Sequence, residues 1–468
     1  ASTPTARVVL VDAPDLGHAA VDLTVALIGM DSVSPSLVPD APGEAGIAAF
    51  LSDRLGTAGY DVRLIPAASD PRRVSLVATR TGSRPGRTVV LNGHLDTVGV
   101  EGMTDPFAAR IDGNHLYGRG SSDMKGGVAG LVVAAEHLAA VDAPGTIIVA
   151  LVADEEDASV GAEAVLRDLA ARGQRMDLCL VAEPTWLDLA VAHRGYAVVE
   201  VELRGRAAHS SQPEAAVDAM RGLGDLLTGI RDADDALRRR PQHPLIPAGS
   251  LMATVARAGT APFTVAASAH VVVERRTLPG ESPADALGEV RALVEPVVSA
   301  TTGLTAHTRL TLSRDAWEMD AAGPASAFAD ELSAALVAAG GSTPARVGAP
   351  YWMESALWQE AGVPTVVCGP AGGGLHAVDE WVDLGQLERF PVAVADAVGR
   401  FLECGACPRA TPAATAPTPP CSRRGWSSSA TSRRVTSRRS ASRVTSIGEI
   451  SSATSSAATR RCSPGSTR

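Results

Sequence analysis

The sequence predicts an α/β fold: a mostly parallel sheet flanked by helices, with a smaller two-layer α/β sandwich inserted into it. Three observations predict it. Short β-branched runs alternate with helical stretches between residues 44 and 181, the pattern of parallel strands joined by crossover helices. From about 194 to 312 the texture changes to longer, alternating strands accompanied by two helical stretches. The α/β alternation then resumes from 350 to 402.

Each element has its own signal. Residues 44–59 place Ile47, Phe50, Leu51 and Leu55 at helical spacing and stop at Gly59. Residues 88–92 form a short buried strand running into Asn92-Gly93-His94-Leu95-Asp96, and 126–141 read as an Ala-rich helix. The run 146–152 is β-branched and apolar, hence a strand, with a helix near 162–171 and another strand at 178–181. In the insertion, strands are expected at 197–203 and 269–274, and helices near 215–230 and 283–298. Past it come a strand at 364–368 and a last helix at 384–402. The chain thus divides into a first α/β part (1–193), the insertion (194–312), a second α/β part (313–404) and a tail (405–468).

At 468 residues the chain can build more than one hydrophobic core. Apolar residues make up 45% and aromatic residues only 3%, so Ala, Val and Leu must fill those cores. No apolar run is long enough for a transmembrane helix, and the first twenty residues lack the basic start and apolar middle of a secretory signal. The tail is rich in Ser, Thr, Arg and Pro and holds eleven Arg against one acid, Glu449, a balance of +10. It is expected to be disordered, and its composition is that of a misread frame in a GC-rich gene. With −10 overall, the rest of the chain carries −20, a poor charge for phosphate contacts, so no nucleic-acid partner is expected. Cys179 and Cys368 sit in apolar strand-like runs and read as reduced core thiols of a cytoplasmic protein. Cys404 and Cys407 have no second pair at zinc-ligand spacing and are read as accidental.

Polar clusters follow the apolar runs. His94 and Asp96 end the first, and Asp123 lies in a glycine-dense loop with Lys125, the only lysine among 42 basic residues. Glu155 and Glu156 close the 146–152 run, Glu183 follows 178–181, and His376 comes late, in Gly374-Leu375-His376-Ala377-Val378-Asp379-Glu380. Singly, each is unremarkable, and a Glu-Glu pair is usually a solvated loop. Jointly they supply the imidazoles and carboxylates of a site for two divalent ions, in which one carboxylate must bridge. Asp96 is expected to accept the second ring N–H of His94, and Glu155, if the segment is extended, points away from Glu156 and is free to act as a base. His18, His115, His137, His243, His270 and His307 have no partner spacing and are read as surface or satisfied histidines. His193 has either a packing role or a place at the hinge of the insertion.

These motifs together resemble the dinuclear-zinc aminoacylase and carboxypeptidase family, which includes acetylornithine deacetylase, succinyl-diaminopimelate desuccinylase, aminoacylase and the glutamate carboxypeptidases. The resemblance spans residues 20–404. It implies that His94, Asp123 and Glu183 bind one ion and Asp123, Glu156 and His376 the other, zinc first, with cobalt or manganese as alternatives. It implies that Glu155 takes a proton from the attacking water and passes it to the leaving nitrogen. The insertion matches the family's lid and dimerisation domain, so a homodimer is expected, with His209 stabilising the oxyanion and Arg276 holding the substrate carboxylate. Glu at position 183 is typical of the deacylases, which points to the amide of an N-acyl amino acid. A carboxypeptidase or dipeptidase with the same site is the alternative, and a non-catalytic binding protein the more distant one. Two departures, Trp352-Met353-Glu354 and Gly369-Pro370-Ala371, are placed near His376 on the substrate side.

Overall fold

The computed structural model describes residues 13–67, 70–240 and 243–403. The tail and the Cys404/Cys407 pair lie outside the described residues. The chain runs through α1 (Ala13–Ile28), α2 (Ala45–Thr57), β1 (Asp61–Pro66), β2 (Val74–Thr81), β3 (Thr88–His94), β4 (Arg110–Asp112) and β5 (His115–Tyr117). Then come α3 (Gly126–Ala140), β6 (Thr146–Val152), α4 (Val160–Ala171), β7 (Leu178–Val181) and β8 (Leu189–His193). The insertion contributes β9 (Gly195–Arg204), α5 (Ala219–Arg238), β10 (Ser250–Ala258), β11 (Ser268–Thr277), α6 (Pro283–Ala300) and β12 (Thr305–Arg314). The chain closes with β13 (Trp317–Glu318), α7 (Pro324–Ala338), β14 (Arg346–Ala349), α8 (Ser355–Glu360), β15 (Thr365–Val367), β16 (Gly372–Gly373), β17 (Trp381–Asp383) and α9 (Leu384–Glu403).

Nine strands form the main sheet, in the order β1-β2-β6-β3-β7-β15-β8-β13, with β14 also on β8. Its centre, β6-β3-β7-β15, is parallel, and antiparallel pairs lie towards both edges. The central strands are covered on both faces, which is why β3 is buried throughout and β6 from Ile147 onward. Helices α1, α3 and α9 pack against one another and α7 packs on α9, while α2 and α4 pack on β1 and β2.

The second sheet, β10-β11-β9-β12, is antiparallel and packs on α5 and α6 around its own core, including Val199, Val201, Leu226, Val271 and Val290. Only one of its faces is covered, so β9 and β11 alternate buried and half-buried residues. The mixed α/β architecture agrees with the expected fold class.

Several elements were not anticipated. β10 and β12 are largely exposed and carry little apolar alternation, and α1, β1, β2 and α7 lie in stretches where no element had been assigned. The helix expected at 215–230 begins later, at Ala219. Asp218 caps it by accepting the N–H groups of Met220 and Arg221, which fixes its start.

Candidate metal centre

Register brings the predicted residues together. In the main sheet His94 stands opposite Val152, and Asn92 opposite Val181. Strands β6 and β7 flank β3, so Glu155, Glu156 and Glu183 leave the sheet beside His94, at the carboxyl ends where such sheets hold ligands. Asp123 comes from the turn ahead of α3. There Gly127 is required, because a Cβ would fall 2.2 Å from the Ala182 carbonyl oxygen. His376 is delivered by a third, small sheet, β16-β17-β5-β4. It sits between β16 and β17 with a left-handed φ of 61°.

Asp123 is the centre of the arrangement. Its Oδ1 lies 2.9 Å from His94 Nε2, and its Oδ2 lies 3.4 Å from His376 Nε2. Glu183 Oε1 is 4.0 Å from His94 Nε2, and Glu156 Oε2 is 3.0 Å from His376 Nε2. Ligand atoms of His94, Asp123 and Glu156 lie within 4.8 Å of one another, as do those of His94, Glu155 and Glu183.

One expectation is corrected. The second ring nitrogen of His94 is held by the backbone of Asp96: Nδ1–H donates to its carbonyl at 3.0 Å, while the carboxylate stands off at 3.6 Å. That carboxylate has another task, accepting the backbone N–H groups of Glu155 and Glu156 at 3.1 and 3.2 Å. The glutamate pair therefore lies in a turn, not in the extended segment assumed from the sequence, and Asp96 orients it. Beneath is Arg73, which the sequence did not single out. Its Nε reaches both Glu44 oxygens at 2.9 and 3.0 Å, Nη1 lies 2.6 Å from Asp154, and Nη2 lies 3.7 Å from Asp96.

The charges of the site test whether cations fit it. A carbonyl only accepts, so Nδ1 of His94 must carry its proton and the neutral ring would aim the Nε2 lone pair at two carboxylates. Desolvation opposes charging this ring, yet Asp123, Glu183 and Glu155 hold its pKa well above the usual value. Burial and the charge of Glu183 push Glu155 well up, and burial and Asp123 raise Glu156 to about 7. Glu183 is likewise raised well above its usual value, chiefly by burial. His376, bonded to Asp123 and Glu156, is raised to about 10. An excess of buried carboxylate around two imidazoles that face inward is a donor set suited to divalent cations.

A cavity of about 320 Å³ opens on this cluster, lined by Asp123, Glu155, Glu156, Glu183, Pro184, Tyr351, Trp352, Leu375 and His376. His209 and Arg276 are not among its lining residues. His209, in the loop after β9, is exposed with Nδ1 2.8 Å from Ser211 Oγ, and Arg276, on β11, is drawn to Glu274 at 2.6 Å, so each has a nearer polar partner than the cavity. The two departures also separate. Tyr351 and Trp352 do line the cavity, but Glu354 is buried behind it, its pKa raised to about 8 by burial, and Gly369 packs on the carbonyls of Ala182 and Glu183. Lys125 donates to the Met30 carbonyl at 2.8 Å and holds its own loop. His193 is buried at the end of β8, with Nε2 2.9 Å from Ser355 Oγ, a packing position.

Comparison with known proteins places the chain in a family. Residues 90–399 match the profile of peptidase family M20/M25/M40. A succinyl-diaminopimelate desuccinylase from Xanthomonas campestris pv. campestris (strain B100) is 32% identical over 404 residues, covering 81% of this chain and 98% of the relative. One from Dinoroseobacter shibae is 29% identical, covering 79% and 96%. Among solved structures, a tripeptidase from Staphylococcus aureus superposes with a TM-score of 0.68 at 17% identity, covering 84% of this chain and 99% of its own. A dinuclear metal-binding peptidase of the M20 family from Bacillus subtilis gives 0.63 at 16% identity, covering 83% and 99%. The chain belongs to peptidase family M20/M25/M40, and it is a metal-dependent amidohydrolase.

Proposed function

We propose that this protein hydrolyses the amide bond of N-acyl amino acids with a pair of divalent ions, zinc in first place. The observation that carries the reading is Asp123, whose two oxygens face His94 on one side and His376 on the other. His94, Asp123 and Glu183 would hold one ion, and Asp123, Glu156 and His376 the second, with Asp123 bridging. When bound, the ions would supply an acidified water and polarise the acyl carbonyl. Glu155 lines the cavity beside these ligands, and its backbone is pinned by Asp96. Its carboxylate would take the proton of the attacking water and deliver it to the leaving nitrogen. Pro184, Tyr351, Trp352 and Leu375 would wall the acyl side and limit water there.

Residues 194–312 would act as a lid, with 1–193 and 313–404 forming the catalytic body. His209 and Arg276 would reach substrate only after this lid, or a second copy of it in a homodimer, closes on the cavity. The desuccinylase relatives and Glu183 support an acylated amino acid as substrate. The test is hydrolysis of N-acetyl and N-succinyl amino acids beside dipeptides, with the zinc- or cobalt-loaded protein. Chelator-sensitive release of amino acid from an acylated substrate is expected, and turnover of dipeptides alone would overturn the deacylase reading.

A further inference from the structure

Glu380, four residues past His376, is 1% exposed and takes no part in the site described above. Its carboxylate gathers four donors from one loop. Oε2 accepts Arg119 Nη1 at 2.7 Å and the Gly120 N–H at 2.9 Å, and Oε1 accepts the N–H groups of Ser122 and Asp123, each at 3.0 Å. Arg119 reaches back across the same junction, its Nη2 donating to the Ala377 carbonyl at 3.0 Å, and the Gly118 N–H donates to the Glu380 carbonyl at 3.1 Å. The loop that presents Asp123 is thereby stitched to the turn that presents His376. Charge-assisted bonds of this kind are stronger than neutral ones and tolerate little displacement.

We propose that Glu380 is a positioning residue that sets the spacing of Asp123 and His376, and so governs one ion of the pair more than the other. This rests on the ligand assignment above. The asymmetry follows from how the two histidines are held. His94 is buried on β3 and fixed by the Asp96 carbonyl, independently of Glu380. His376 sits in a turn with its side chain 53% exposed, and that turn meets the Asp123 loop through Glu380, Ala377 and Arg119. Loosening Glu380 therefore shifts His376 against Asp123 and weakens the ion held by Asp123, Glu156 and His376 more, because the other ion shares only Asp123 with that junction and keeps His94 and Glu183 in place.

Glu380→Gln tests this with little change in volume. Its amide oxygen can keep two N–H partners, but its NH₂ then meets Arg119 and the Gly120 N–H, donor against donor. The experiment is a calorimetric titration of metal-free, full-length protein with Zn²⁺, and with Co²⁺ followed by its visible spectrum, for the wild type, Glu380→Gln and Glu380→Asp. The wild type should bind two ions. Glu380→Gln should keep one affinity and lose the other by about 10- to 100-fold, the usual effect of removing an outer partner of a ligand. Its kcat should fall more than KM changes, and Glu380→Asp, which keeps the charge, should recover part of the loss. Two ions at wild-type affinity in Glu380→Gln would overturn the proposal, as would equal weakening of both with a lower unfolding temperature. If Glu380→Gln does not fold, Glu380→Asp decides by the same readouts. Fewer than two ions on the wild type would instead overturn the ligand assignment itself.

Discussion

At the carboxyl ends of β3, β6 and β7, buried ionisable groups crowd one small volume, and several share partners: Asp123 lies against both histidines, and Arg73 against three carboxylates. On the open face of β9–β12 the charges pair two by two along or between strands, as in Arg204–Glu202, Arg276–Glu274 and Arg309–Glu200, while Arg275 on the covered face is buried between Glu281 and Glu289. Topology makes the difference. Adjacent parallel strands end side by side, so the loops that leave them meet at one place, where burial turns each charge into a constraint on its neighbours. The open face of an antiparallel sheet presents its polar side chains to solvent, where each finds its nearest partner and is worth little.

The contrast can be broken by substitution. The largest effect is expected from Glu155→Gln, which should lower turnover by about 10²- to 10⁴-fold while metal content stays at the wild-type level. Near-normal turnover would remove Glu155 as the base. Next is Arg73→Met. Arg73 is 3% exposed, and its loss leaves Glu44, Asp154 and Asp96 without their shared cation, so unfolding in denaturant should show a loss of about 3–5 kcal/mol. The same substitution at Arg309, an exposed partner of Glu200, should cost less than about 1 kcal/mol.

Metal removal sharpens the comparison further. Ions that bind only the folded chain should stabilise it by about 2.7 kcal/mol at a hundredfold excess over Kd, so a chelator should lower Tm measurably and abolish turnover. In metal-free protein, Glu354 should contribute to the pH dependence beside the raised carboxyls of Glu155, Glu156 and Glu183. Its folded pKa of about 8 lies above the ordinary 4.5, so the protonated form favours the folded state. That contribution is complete below about pH 4.5 and fades as pH rises through about 8. Glu354→Gln should flatten the stability curve over this window by on the order of 5 kcal/mol. An unchanged slope would place the pH dependence elsewhere. The smallest effect is expected at His209→Ala, where an exposed side chain should change stability by less than about 0.5 kcal/mol. A fall in kcat for that variant would support its place in the closed enzyme.

Much of this was legible from the chain. The strand at 146–152 and the buried runs around 88–94 and 178–181 announce themselves because both faces are covered and nearly every position is apolar. The acids and histidines at their ends stood out because polar residues there need a reason. Exposed strands such as β10 and β12 left no such trace, since pairing through the backbone places few demands on side chains that face water.

By itself, then, the sequence determined the α/β order, the second core and the polar residues that end its buried strands, because burial and strand period are local properties written in apolar spacing. Tertiary structure alone decided that Asp96 steadies the glutamate turn, that Arg73 lies beneath it, and that Glu380 joins Asp123 to His376. Those pairings link residues tens to hundreds of positions apart. They follow from where strands end and loops return, and no local pattern encodes that.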